Sequence, residues 1–163
     1  MKSARATADL CDAFPDRVRV VAPLFRDWGG ISSFSGPIET IRVFEDNVLV
    51  RQALEGEGHG RVLVVDGGGS LRTALVGGRL AALARERDWT GIVVNGCIRD
   101  VVEIGATPVG VRALGTSPRK GGSQGTGERS VSVTFAGVTF TPGEWLYADA
   151  DGLVVADGEL PAN

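Results

Sequence analysis

The chain has 163 residues and a formal net charge of −3, with 17 basic and 20 acidic side chains. This length suits one domain with a sizeable core, so we assign residues 1–163 to a single domain. The acidic balance excludes the broad basic surface of a direct nucleic-acid binder, and the apolar runs are too short to span a membrane. The amino-terminal residues lack the apolar core of a signal peptide, so we expect a cytoplasmic protein.

Residue patterns predict short helices and strands that follow one another along the chain. The first predicted elements are a helix over 7–14 with Thr7 as N-cap, strands over 18–21 and 38–44, a helix over 47–54, a strand over 61–66, and a helical segment over 71–87 that Gly77 and Gly78 can divide. The later ones are a strand over 91–96, a short helix after Arg99, and strands over 109–111, 131–135, 138–140 and 153–155.

The middle of the chain alternates strand, helix and strand, which favours parallel pairing with right-handed crossovers. A glycine- and serine-rich stretch over 115–128 predicts a loop or hinge, and short β segments follow it. The expected architecture is therefore an α/β sandwich with a mixed, partly parallel sheet and no second domain.

The dipeptide Arg99-Asp100 is the strongest functional signal, because it follows the predicted strand 91–96 and precedes a short predicted helix. Ligands bind at the carboxyl ends of parallel strands, and helix N-termini favour anions. A guanidinium can bind a carboxylate through two parallel hydrogen bonds, while the aspartate can anchor a hard cation such as Mg²⁺. The alternative is a surface arginine beside an aspartate that merely stabilises the helix dipole.

Cysteine, histidine and lysine are scarce, which limits the kinds of metal site and nucleophile that the protein can have. The two cysteines, Cys11 and Cys97, form no zinc motif, and the one histidine, His59, lies in a polar loop. The two lysines are Lys2 and Lys120, and neither position predicts the desolvation that a Schiff-base lysine needs. Any metal is therefore expected to be oxygen-ligated Mg²⁺ or Mn²⁺.

A glycine-rich turn over residues 67–70 follows the predicted strand 61–66. The turn has the context of an anion-binding loop but lacks the residues of a P-loop and the spacing of a dinucleotide-binding fingerprint. A tight turn beside a small-molecule site is the favoured interpretation. If strands 61–66 and 91–96 are neighbours, the turn and Arg99-Asp100 are expected to face one crevice.

Five segments together resemble the RraA family, which includes a regulator of ribonuclease E and the 4-hydroxy-4-methyl-2-oxoglutarate aldolases. They cover residues 44–47, 64–70, 74–78, 91–100 and 142–149, in the family's order. The resemblance implies the family's swivelling β/β/α sandwich and a homotrimer with active sites near subunit interfaces. It also implies metal-dependent cleavage of 4-hydroxy-4-methyl-2-oxoglutarate to pyruvate, with oxaloacetate decarboxylation as a side reaction.

The resemblance assigns roles to particular residues of this chain. Arg99 binds the substrate's carboxylate and Asp100 anchors the divalent cation. The substrate-contacting turn corresponds to the four residues Gly77, Gly78, Arg79 and Leu80. Glu103 lies three residues after Asp100, so on a helix it faces the same side and is a candidate for assisting proton transfer.

One departure from the family pattern leaves the function open. The aldolases of the family carry an aspartate twenty-one residues before the arginine, and Gly78 stands at that position here. Three hypotheses follow: a metal-dependent lyase acting on 2-keto acids, a trimeric regulator of ribonuclease E without essential catalysis, and a family member with an unrelated ligand. The intact Arg99-Asp100 pair favours the lyase, and Gly78 favours the regulator.

Overall fold

The fold was analysed in a computed structural model, which describes residues 5–162. The amino-terminal stretch that lacks a signal-like core, including Lys2, lies mostly outside the described residues. Within 5–162, none of the helices has the length and hydrophobicity needed to cross a bilayer.

The described chain forms four short helices and twelve strands. The helices are α1 (Thr7–Ala13), α2 (Val48–Glu55), α3 (Gly78–Glu86) and α4 (Val101–Gly105). The first six strands are β1 (Val18–Val20), β2 (Arg26–Asp27), β3 (Phe34–Arg42), β4 (Val62–Asp66), β5 (Ala74–Val76) and β6 (Gly91–Ile98). The others are β7 (Gly110–Thr116), β8 (Glu128–Arg129), β9 (Val133–Phe135), β10 (Val138–Phe140), β11 (Trp145–Asp149) and β12 (Gly152–Ala156).

The long strand β3 joins a parallel and an antiparallel part of one sheet. Its second half pairs in parallel with β4 from Ile38 opposite Val62, and β4, β6 and β7 continue the parallel part. Its first half pairs antiparallel with β11, and β12 and β1 extend that side. The predicted neighbours 61–66 and 91–96 are indeed adjacent, because β4 pairs with β6.

Alternating side chains of the parallel strands build two separate cores. Leu63 and Val65 of β4 face helices α2 and α3 in one cluster, whereas Val62 and Val64 face the β9–β10 hairpin in another. This period of two is the pleat of a strand buried on both faces. The chain is therefore a mixed α/β sandwich of helices, parallel sheet and a second β layer, which confirms the predicted fold class.

Two local predictions were wrong. Residues 74–76 form strand β5 instead of the start of a helix, because Ala74, Leu75 and Val76 are all buried where the strand pairs with β6. Helical spacing and a buried strand cannot be distinguished in so short an apolar run. Thr7 is the first residue of α1 and not its N-cap, since its hydroxyl binds the Asp149 carboxylate.

Candidate functional site

A cleft of about 670 Å³ opens where β5 and β6 end and where α2 and α3 approach each other. Five of the residues predicted from the sequence line this cleft: Gly77, Arg79, Leu80, Arg99 and Asp100. The other two, Gly78 and Glu103, are not among its lining residues but lie directly behind it. The structure thus gathers the predicted residues at one end of one cleft.

Strand β6 and helix α4 position the Arg99-Asp100 pair. Strand β6 ends at Ile98, and the Arg99 amide still donates to the carbonyl of Val76 at 3.0 Å. Asp100 then adopts a left-handed conformation with φ of 62°, which turns the chain into α4. Few non-glycine residues take this conformation without cost, and aspartate and asparagine are among those that take it most readily. The turn leaves Arg99 partly exposed on the wall of the cleft.

The Asp100 carboxylate caps a neighbouring helix instead of its own. Its Oδ2 atom accepts a hydrogen bond from the Gly78 amide at 3.0 Å, at the N-terminus of α3. A Cβ atom on Gly77 would come within 2.8 Å of the same oxygen, so glycine is needed there for the carboxylate to approach. This contact fixes the orientation of Asp100 before any ligand binds.

Glu103 occupies the space that a side chain at position 78 would need. A Cβ atom on Gly78 would overlap Oε2 of Glu103 and would come within 2.9 Å of its Cδ atom. The two consecutive glycines therefore form a cradle over the first turn of α3, into which Asp100 and Glu103 extend their carboxylates. Sequence reasoning noted Gly78 as a missing carboxylate but missed that Glu103 lies over it.

The donor set at the cradle is made of hard oxygen atoms. Magnesium and manganese favour such ligands, and Mg²⁺ keeps several waters while using one or two protein carboxylates. No group of three or more histidine, cysteine, aspartate or glutamate side chains suitable for a metal exists within residues 5–162. A pair of carboxylates thus fits a water-rich Mg²⁺ or Mn²⁺ ion and does not fit a four-ligand zinc centre.

The segment over residues 117–125 forms the opposite wall of the cleft, and sequence reasoning missed its contribution. We call it the strap. It is held along β5, since the Ala74 amide donates to the carbonyl of Arg119 at 2.7 Å and the Gly121 amide donates to the carbonyl of Ala74 at 3.1 Å. The strap brings the exposed Lys120 to the cleft. Lys120 is one of only two lysines, which was the available signal.

Asp46 anchors the far end of the strap. Its carboxylate is buried and accepts hydrogen bonds from the amides of Val48, Gln124 and Gly125 at 3.1, 2.6 and 3.1 Å. Burial alone would raise the pKa of Asp46, but these backbone amides together hold it below its ordinary value of 3.8. One ionised side chain therefore ties the strap to the start of α2.

Replacing Asp46 by asparagine is expected to lower the free energy of unfolding by about 1–3 kcal/mol, because the amide NH₂ would face backbone N–H donors. Since the pKa of Asp46 is lowered in the folded state, its stabilisation is present above the ordinary value of 3.8 and disappears as pH falls through the lowered value. Urea unfolding should show the difference near neutral pH and a smaller one in acid. Equal losses at both pH values, or a similar loss in the exposed Asp12→Asn control, would contradict this.

The glycine-rich turn does not share the cleft, contrary to the expectation from the sequence. Its residues are absent from the lining of the cleft. The amides of Gly67 and Gly69 both donate to the carbonyl of Asn95 at 3.1 Å, and the Gly68 amide donates to the Asp66 carboxylate at 3.0 Å. These donors are already used within the chain, so the turn is a structural connection from β4 to β5 that is held against β6.

The remaining reactive side chains are not activated as nucleophiles. Cys97 is buried, and burial raises the pKa of its thiol, which disfavours the nucleophilic thiolate. His59 is exposed in its loop. Lys120, on the strap, is also exposed, so it lacks the desolvation that activates an amine nucleophile. The chemistry of the cleft therefore depends on its carboxylates and arginines.

Comparison with known proteins identifies the family of this chain. A protein from Aromatoleum aromaticum, provisionally named a 4-hydroxy-4-methyl-2-oxoglutarate aldolase, is 56% identical over 94% of this chain and 97% of its own. A Geobacillus kaustophilus structure described as an S-adenosylmethionine: 2-dimethylmenaquinone methyltransferase is 54% identical, has a TM-score of 0.92, and covers 96% of this chain and 97% of its own.

A third relative carries yet another functional name. The RNA-processing inhibitor RraA from Thermus thermophilis is 45% identical, has a TM-score of 0.94, and covers 99% of this chain and 97% of its own. The three names differ, so fold and sequence similarity alone do not identify the activity of this chain. The activity has to be argued from the residues of the site. The RraA-like family, Aldolase/RraA, matches residues 7–155, and the chain therefore belongs to the RraA-like family.

Proposed function

We propose that the protein is a divalent-metal-dependent lyase for short 2-keto dicarboxylic acids. It cleaves 4-hydroxy-4-methyl-2-oxoglutarate to pyruvate and decarboxylates oxaloacetate. The observation that carries the proposal is the glycine cradle, where the carboxylates of Asp100 and Glu103 both lie against Gly77 and Gly78, with Arg99 at the same end of the cleft. The aldolase names of close relatives support the same chemistry.

Substrate binding uses the positive side chains of the cleft. The Arg99 guanidinium donates two parallel hydrogen bonds to a substrate carboxylate, and its Nη1 atom also donates to the Pro118 carbonyl at 3.4 Å. Gly77, Gly78, Arg79 and Leu80 form the turn along which the keto acid lies. Lys120 enters the same cleft from the strap and supplies a second positive charge for the distal carboxylate.

Asp100 holds the divalent cation, with Glu103 close by. Oδ2 of Asp100 accepts a hydrogen bond from the Gly78 amide, and the carboxylate that this contact orients would hold the cation. When bound, Mg²⁺ or Mn²⁺ supplies Lewis-acid stabilisation of the negative charge that develops on the keto oxygen. Both proposed reactions leave an enolate of pyruvate, so neither needs a lysine nucleophile. This agrees with the exposure of Lys120.

Glu103 provides the carboxylate that Gly78 lacks. Its Oε2 atom lies where a side chain at position 78 would begin, so the negative charge reaches the cradle from α4 instead of α3. There it can orient a water, take the proton of the substrate's hydroxyl or deliver a proton to the enolate carbon, roles that general acid–base catalysis gives to a positioned carboxylate. In this proposal the carboxylate that the aldolases carry at the position of Gly78 is supplied here by Glu103.

Glu103→Gln is expected to lower kcat by about 10²-fold while keeping the fold, because proton transfer by a positioned group contributes roughly 10² to 10⁴. Adding Gly78→Asp to Glu103→Ala should recover part of the lost activity, since the removed side chain vacates the space that a Cβ atom needs. Gly78→Asp alone should disturb the site, because it overlaps Glu103. Steady-state kinetics of the four proteins would contradict the exchange if the double variant is no more active than Glu103→Ala.

The decisive assay measures pyruvate released from 4-hydroxy-4-methyl-2-oxoglutarate and from oxaloacetate, with Mg²⁺ and with EDTA. Turnover that requires the cation supports the lyase. Turnover of oxaloacetate alone restricts the function to decarboxylation, which needs enolate stabilisation but no base to deprotonate a hydroxyl. No turnover of either acid would overturn the proposal.

Regulation of ribonuclease E is the second candidate function. The likeness to a structure described as an RNA-processing inhibitor favours it, and so do exposed apolar side chains such as Val101 and Val102 of α4. Large apolar side chains on a surface indicate contacts with other proteins when they cluster. Inhibition of ribonuclease E by the purified protein, equal in wild type and in Asp100→Asn, would establish a role that is independent of catalysis.

We also propose that the chain assembles as a homotrimer. Beside Val101 and Val102, the exposed apolar side chains of the single chain include Phe44 and Leu71, on either side of the glycine-rich turn. A symmetric oligomer buries such surfaces in repeated, identical contacts. Light scattering coupled to size-exclusion chromatography gives the mass directly, and a monomer mass would overturn the assembly.

A further inference from the structure

A second pocket, of about 340 Å³, lies between helix α1, the end of β1 and strand β12. It shares no lining residue with the cleft described above. Its walls are mainly apolar, with Val21, Pro23, Phe25 and Leu153 among the lining side chains. We call it the α1 pocket. Nothing in the proposed lyase chemistry uses it.

Arg112 of strand β7 is one of the residues that line the α1 pocket. The side chain is 5% exposed, and burial lowers the pKa of the guanidinium. Burying a charge is costly unless it is paired and hydrogen-bonded. The charges of Asp27 and Asp149 both act on Arg112, but the ion pair with Asp27 spans 3.8 Å, which exceeds hydrogen-bonding range.

The hydrogen bonds of Arg112 are also incomplete. Its Nη2 atom donates to the carbonyls of Ser32 and Asp149. Its Nε atom is buried and has no hydrogen-bond partner among residues 5–162. A guanidinium offers five N–H donors in a planar fork, and the Nε–H donor of this fork lacks an acceptor within the described residues. The ring of Phe34, whose centroid is 5.7 Å from Cζ, supplies no such acceptor.

We propose that the α1 pocket binds a small monocarboxylate with an apolar body. A carboxylate matches the guanidinium fork through parallel, charge-assisted hydrogen bonds. The apolar walls then cover the rest of the molecule, as in most small-ligand sites, where few polar groups orient a ligand within an apolar pocket. The pocket volume limits the ligand to the size of a short branched acid or a benzoate.

Cys11 gives a direct readout, because its half-buried side chain lines the α1 pocket, whereas Cys97 is buried elsewhere. Alkylation of Cys11 by N-ethylmaleimide is followed by peptide mass spectrometry, with benzoate as the probe and neutral benzamide as its matched control. Benzoate at ten times its Kd is expected to slow alkylation about tenfold by mass action. Benzamide is expected to give little protection.

Two variants complete the test. Arg112→Met should weaken protection by benzoate at least about tenfold, and Arg26→Met, which removes an exposed arginine on the neighbouring strand β2, should leave it unchanged. If Arg112→Met does not fold, Ala8→Trp, at the exposed rim of the pocket, should abolish protection by filling the space.

Three outcomes would overturn the proposal. Equal protection by benzamide and benzoate would mean an apolar pocket without recognition of the anion. Protection that persists in Arg112→Met, or in Ala8→Trp, would place the ligand elsewhere. A Cys11 thiol that does not react even without ligand would mean that the pocket is closed in the assembled protein. None of these results depends on the activity of the cleft.

Discussion

Asp100→Asn is expected to lower kcat/KM for pyruvate release at least about 10³-fold, a loss of about 4 kcal/mol in transition-state stabilisation. Asparagine keeps an oxygen that can accept from the Gly78 amide and tolerates the left-handed conformation of residue 100. It removes the negative charge that the divalent cation needs. The substitution therefore separates the ligand role of Asp100 from its role as a cap of α3.

The measurement is kinetic, with Mg²⁺ varied over a wide range. Asp100→Asn should unfold at nearly the wild-type temperature, whereas Asp100→Ala should also lose stability, because alanine neither caps α3 nor favours a positive φ. Asp88→Asn is the matched control, since Asp88 also has a positive φ of 63° and is exposed outside the cleft. Wild-type turnover in Asp100→Asn would remove the proposed metal anchor.

Arg99→Ala is expected to have the second largest effect, with kcat/KM reduced roughly 10²- to 10³-fold, or about 3–4 kcal/mol. A charge-assisted bidentate hydrogen bond is lost, and a methyl group cannot hold the substrate's carboxylate. Arg99→Lys should recover only part of the activity, because an ammonium is a point charge without the planar fork. The loss in Arg99→Lys should appear mainly in KM.

Control experiments test whether the loss of activity is specific to the Arg99 guanidinium. Arg85→Ala removes an exposed arginine of α3 that does not line the cleft, and it should turn over like the wild type. Guanidinium added to Arg99→Ala tests for chemical rescue of the missing group. Acetate added to the same variant tests for competition with the substrate's carboxylate. If Arg99→Ala kept the wild-type kcat/KM, the guanidinium would not be the carboxylate-binding group, and Arg79 of the same wall would take its place as the candidate.

The amino-acid sequence by itself determined the fold class and the family. The β-branched runs at 61–66 and 91–96 are typical of buried parallel strands, and glycines and prolines mark the turns between elements. The sequence also predicted that Arg99-Asp100 lies at the end of a strand and before a helix. This was possible because the strand, the dipeptide and the helix follow one another directly along the chain. Such local signals do not require knowledge of distant contacts.

Only the tertiary structure decided what surrounds that pair. The strand at 74–76 forms because its side chains are buried against β6, and this environment overrides helical spacing. The meeting of Glu103 with Gly78, across 25 residues of chain, and the arrival of Lys120 on the strap depend on packing between separate elements. A carboxylate missing from one position of the sequence is supplied in space from another, because proximity is set by the fold and not by the order of residues.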